Sequence, residues 1–125
     1  MEIFVFGSNL AGIHGAGAAA YARKHHGAIY GQGIGLQGNS YGIPTKDARI
    51  VTLPIKDITK YVNQFIEFAN RHQEMTFMVT RIGCGLAKLD YNSMASLFND
   101  APDNCLFDEQ WRQYLGNTKN YWGTF

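Results

Sequence analysis

Cysteine is scarce in this chain of 125 residues: Cys84 and Cys105 are the only two. Two cysteines make no disulfide framework, and a reducing cytoplasmic compartment is the simplest expectation. No apolar run approaches the ~20 residues of a membrane span, so no membrane association is expected. No basic region followed by an apolar stretch opens the chain, which argues against a signal peptide. Charge is scarce as well. The first 45 residues carry only Glu2, Arg23 and Lys24, and the whole chain has a formal net charge of +1. Such a balance makes no electrostatic case for nucleic acid or an anionic membrane as partner. His14, His25, His26 and His72 do not stand at metal-ligand spacing with the cysteines, so neither a metal nor a cofactor is expected.

Glycine, by contrast, is abundant. Ten of the fourteen glycines fall between Gly7 and Gly42, and two more frame Cys84. They show no three-residue period, which excludes collagen. Hydrophobic residues make up 46% of the chain, enough for a core and too many for a disordered chain. The length predicts a single domain over residues 1–125.

Periodicity predicts alternating strands and helices. Ile3–Phe6 reads as a buried strand, and Gly15 onward as a small-residue helix stopped near Gly27. Residues 31–39 read as an irregular loop. Extended segments are expected at Ser40–Pro44 and Arg49–Leu53. Ile58, Tyr61, Val62, Phe65, Ile66 and Ala69 recur at helical spacing, with Asp57 as a candidate cap. Met75–Ile82 and Cys105–Phe107 read as strands. Asp90 is placed to cap a helix through Met94 and Phe98, and Trp111 to Leu115 read as a last helix. The aromatic tail around Tyr121, Trp122 and Phe125 is expected to pack. The pattern predicts an α/β fold with a mixed β-sheet.

Two glycine turns fall at the carboxyl ends of predicted strands, where α/β sheets bind ligands. The first runs from Gly7-Ser8-Asn9 to Gly15-Ala16-Gly17-Ala18, where small residues and a helix N-terminus suit a diphosphate or carboxylate. A tight strand-to-helix turn accounts for the same residues equally well. Gly15-Ala16-Gly17-Ala18-Ala19-Ala20 matches a loose dinucleotide pattern, but it lies too far from the strand end and lacks the acid ~20 residues on. The second turn, Ile82-Gly83-Cys84-Gly85-Leu86, can offer an anion nest. Cys84 has no readable base beside it and reads as a small filler rather than a nucleophile.

Together these segments resemble the macrodomain family of ADP-ribose-binding proteins. Asn9-Leu10 before Gly15-Ala16-Gly17-Ala18 is similar to the stretch in which an Asn contacts the distal ribose. Arg81-Ile82-Gly83-Cys84-Gly85-Leu86 resembles the diphosphate-cradling loop, and is closest to the branch that removes ADP-ribose from glutamate esters or nucleic acid bases. The set Gly-Ser-Asn-Leu-Ala-Gly, Ile-Pro-Thr-Lys-Asp and Ile-Gly-Cys-Gly-Leu-Ala also resembles small macrodomain-like proteins of bacteriophages.

The resemblance implies an α/β, three-layer macrodomain-like fold, a mixed β-sheet flanked by helices, and an ADP-ribose or ADP-ribosylated partner, with nucleic acid entering only as a modified substrate. The implied activity is hydrolysis of an ADP-ribose ester or of ADP-ribose 1″-phosphate. Ser8, Asn9, Gly15, Ala16, Gly17, Ala18, Ile82, Gly83, Cys84, Gly85 and Leu86 would bind the ligand. Lys46 would stabilise charge or attack the anomeric carbon, with Asp47 or His14 moving the proton. Ala87 stands where the esterase branch carries an aspartate, which favours a non-catalytic reader as the alternative. Adenine would lie on Tyr121 or Trp122. Residues 31–42 would form a third, substrate-covering loop leading to Lys46. A further alternative is a protein-interaction module using Asp100, Asp103, Asp108, Glu109 and the aromatic tail.

Overall fold

A computed structural model describes residues 1–125. One six-stranded sheet runs through the molecule in the order β2-β3-β1-β4-β5-β6. β1 is Glu2–Asn9, β2 Gly35–Gln37, β3 Ser40–Lys46, β4 Thr76–Val79, β5 Cys105–Asp108 and β6 Asn120–Gly123. β2 is antiparallel to β3 and every other pair is parallel, so the sheet is mixed as expected. The helices are α1 (Gly17–His25), α2 (Ile55–Arg71), α3 (Tyr91–Ser96) and α4 (Arg112–Leu115), the last entered through a 3₁₀ turn at Glu109–Trp111.

The apolar run at the start of β1 is buried on both sides, and alternation assigns its residues to two cores. Ile3 and Val5 join Ile58, Val62, Phe65 and Ala69 of α2, with Met94, Phe98 and Trp111, in a core of nineteen buried residues. Phe4 and Phe6 face the other way, onto Ala19 and Ala22 of α1 and Ala28, in a core of five. The alanines of α1 allow that close approach. Gly27, at φ +74°, turns the chain away just past the helix end. Asp90 caps α3 as expected, its carboxylate accepting from the Ser93 N–H at 2.9 Å. α2 begins two residues earlier than its periodicity suggested, after Pro54, and Asp57 lies in its first turn.

Four expectations about strands are corrected. The strand expected over Met75–Ile82 covers only Thr76–Val79, and the chain leaves the sheet before the second glycine turn. β1 continues past Phe6, because Gly7, Ser8 and Asn9 pair with Ile43, Pro44 and Lys46 across a bulge. Residues 31–39 are not wholly irregular, since β2 lies within them. Arg49–Leu53 is not a strand. Residues 47–50 form a turn that brings Thr52 back beside Lys46.

The connections set the position of the site. From β1 the chain crosses through α1 to β3 on one side. From β3 it returns through α2, over the opposite face, to β4 on the other side of β1. The direction of winding therefore reverses at β1. A crevice opens there, beyond the carboxyl ends of β3, β1 and β4.

Candidate functional site

A cavity of about 490 Å³ occupies that crevice. Its size is ordinary for a small-ligand site. Both predicted glycine turns border it, and Gly7 and Gly83 bring them together: a methyl group on Gly7 would lie 3.4 Å from the Gly83 nitrogen. At the mouth the walls meet again, since a methyl group on Gly17 would lie 3.4 Å from Leu86 Cδ1.

The backbone of these walls has donors to spare. The N–H groups of five successive residues, Gly15 to Ala19, donate to no other backbone group, and so do those of Gly85, Leu86 and Ala87. α1 has no side-chain cap, since Ala16 occupies that position. All eight residues line the cavity. Runs of unpaired N–H groups, one at a helix N-terminus, are the kind of backbone that suits an anion.

The side chains around the cavity are mostly committed to the scaffold. Ser8 Oγ donates to the Gly33 carbonyl, Thr80 Oγ1 to that of Val5 at 2.7 Å, and Thr45 Oγ1 to that of Ser8 at 3.4 Å. Asn9 braces its own loop, donating to the Ile13 carbonyl at 2.8 Å and accepting from the Ile13 N–H at 2.9 Å. One N–H and one lone pair of that amide stay free for a ligand. Arg81 Nε pairs with the fully buried Asp108 at 3.3 Å, and its other nitrogens donate to the Tyr91 hydroxyl, Gln110 and the Phe125 carbonyl. Lys46 is the other cation lining the cavity, and it forms no ion pair. No Asp, Glu or His side chain lines the wall.

Two proposed proton carriers therefore lie away from the cavity. Asp47 turns its Oδ1 to the N–H groups of Arg49 and Val51, at 2.8 and 3.0 Å, and holds the turn after β3. His14 is buried beneath the 29–37 segment, edge-on to Phe6. Its Nε2 faces two acceptors, the Gln32 carbonyl at 2.9 Å and Gln37 Oε1 at 3.2 Å, and so carries the hydrogen. Its Nδ1 has no partner. Ile82 belongs to the main core rather than the cavity wall, because its side chain alternates inward from the loop. The other proposed ligand-binding residues, and Lys46, are brought together.

Cys84 contributes backbone to the wall while its thiol faces inward, donating to the Ile82 carbonyl at 3.6 Å. Burial pushes its pKa up to about 11, outweighing the nearby charge of Arg81. It stays a neutral thiol near pH 7, which supports its reading as a filler.

Ile13, Ile50 and Phe125 are the wall residues that the sequence did not announce. Phe125 replaces Tyr121 and Trp122 as the aromatic of the site. The Tyr121 hydroxyl is tied to the Gly116 carbonyl at 2.6 Å, and the Trp122 indole to that of Val79 at 3.0 Å. Phe125 instead packs edge-on against Phe4 and Tyr21. It is seated there by Asp108, which accepts from the Phe125 N–H at 3.1 Å and the Thr124 hydroxyl at 3.0 Å. Within the acidic stretch, Asp108 is buried under the tail and Glu109 pairs with Arg112.

The glycines of 31–42 do not cover the site. Gly33 presses on Asn9, Gly38 on Gly27 and Gly42 on Gly33, at distances that leave no room for a side chain. Compared with family models, curated proteins and solved structures, the chain matches none.

Proposed function

We propose that this cavity binds ADP-ribose or a close derivative, as the macrodomain resemblance implies. The observation that carries the reading is the pair of unpaired N–H runs, Gly15–Ala19 and Gly85–Ala87, lining one cavity beside the unpaired Lys46. That arrangement favours a group with several anionic oxygens, and a diphosphate fits it. The two ends of the cavity differ in a way that suits the rest of the ligand. Lys46 ends β3 and pairs with Asn9 at the end of β1, whereas Phe125 reaches the cavity from beyond β4. The distal ribose would sit by Asn9 and Lys46, and the adenine by Phe125, whose ring offers a stacking face.

Binding without turnover is the form of this reading that the geometry supports best. Lys46 is placed to stabilise negative charge. Asp47 and His14 are engaged elsewhere and Ala87 stands in the wall, so no carboxylate or imidazole side chain lines the cavity beside it. Hydrolysis through Lys46 is the second reading, favoured by its unpaired ammonium group. Incubation with an ADP-ribosylated glutamate peptide and with ADP-ribose 1″-phosphate separates the two. The expected result is saturable binding and no release above background. Release that disappears in Lys46→Ala would establish hydrolysis instead.

A further inference from the structure

Only two residues other than glycine have a positive φ: Ile50 at +65° and Lys88 at +58°. Lys88 does not line the cavity; Ile50 does. A β-branched residue is poorly suited to the left-handed region, which costs it about 1–3 kcal/mol. In a turn joining two paired segments, that position ordinarily belongs to Gly or Asn. The turn itself is well braced. Asp47 accepts from Arg49 and Val51, its N–H donates to the Val51 carbonyl at 2.8 Å, and the Ile50 N–H donates to the Asp47 carbonyl at 3.1 Å. The strain is held in place for a side chain that local geometry would reject.

That side chain packs poorly in the free protein. Ile50 is 42% exposed and stands next to the Lys46 end of the cavity. Ile13, Leu86 and Phe125, also exposed, complete an apolar mouth over a floor of backbone donors. A strained, half-exposed hydrocarbon at such a mouth gains its burial only when something fills the cavity.

We infer that Ile50 is a specificity-determining residue: it closes over the distal sugar at the Lys46 end and discriminates ADP-ribose from ADP. This inference rests on the ADP-ribose reading of the cavity. It also predicts that strain and selectivity are removed together.

The test compares the native chain with Ile50→Asn and Ile50→Gly, both of which suit a positive φ. Each is titrated with ADP-ribose and with ADP, and its thermal midpoint is measured. Ile50→Asn is expected to melt about 3 °C higher. Its affinity for ADP-ribose should fall about tenfold while its affinity for ADP stays within about twofold. Ile50→Val, which keeps a branched hydrocarbon, should retain most of the selectivity. Equal affinities of native and Ile50→Asn protein for both ligands would overturn the role of Ile50 and leave the cavity reading intact. A lowered midpoint with parallel loss of both ligands would make Ile50 merely structural. A folded native protein that binds neither ligand would remove the cavity reading, and this inference with it.

Discussion

Gly33 and Gly85 come from glycine-rich loops that look alike in the sequence, yet a methyl group on each would meet opposite surroundings. At Gly85 it would enter open space, and at Gly33 it would fall 2.0 Å from the Asn9 carbonyl oxygen. In the segment 31–42, Gly33, Gly38 and Gly42 bring backbone against backbone, between the end of β1, β3 and the turn after α1. The walls at 15–19 and 85–87 use small residues to keep space beside unpaired N–H groups. Glycine content alone cannot separate these uses. What separates them is whether the missing side chain would meet the chain itself or a ligand.

The largest effect is expected where the chain fills the space. Gly33→Ala should destabilise the protein by about 3 kcal/mol in urea unfolding, because a fixed carbonyl cannot move aside as a flexible side chain would. A loss below about 0.5 kcal/mol would mean that the loop is looser than its contacts indicate. Next comes Lys46→Ala, which removes the unpaired charge from the cavity. Affinity for ADP-ribose is expected to fall about tenfold or more, with stability within about 0.5 kcal/mol of native. An unchanged affinity would detach Lys46 from the ligand.

Cys84 sharpens the comparison from within one residue, since its backbone borders the cavity and its thiol faces the core. Burial raises its pKa to about 11 and that of Cys105 to about 12. The unfolded thiols titrate near their ordinary value of ~8.5. Above that pH the unfolded chain loses these protons while the folded chain keeps them. Stability therefore falls as pH rises from about 9 towards 11 and 12, and is fully retained below. Alkylation of the folded protein by iodoacetamide should be slow at pH 7.5. Rapid labelling of Cys84 in the folded state would contradict its inward placement. The smallest effect on stability belongs to Gly85→Ala, which should unfold within about 0.5 kcal/mol of native yet bind more weakly. A Gly85→Ala protein as destabilised as Gly33→Ala would erase the distinction between the two loops.

Much of the architecture was legible because it is written locally. The helical spacing of Ile58 to Ala69 marked α2, the apolar run at Ile3 marked β1, and Asp90 marked the start of α3. β2 escaped notice because it is three residues long and begins with a glycine. The 47–50 turn escaped because Asp47, not glycine or proline, organises it. The glycine walls of the site were legible for the same local reason. Phe125 was not, because it reaches the cavity only through Asp108 and the placement of β6 beside β5. His14 and Asp47 carry chemistry suited to a site, but proximity in sequence says nothing about which way a side chain turns. Burial against Phe6 and the turn after β3 claimed them.

The central claim is that two walls of unpaired backbone N–H groups and Lys46 hold the diphosphate of ADP-ribose. Titration calorimetry of the native protein with ADP-ribose, alongside Lys46→Ala, tests it most directly. The account predicts a single saturable site, filled below about 1 mM ligand and weakened in the variant. No heat at millimolar ADP-ribose, from protein whose cooperative unfolding shows it to be folded, would contradict it.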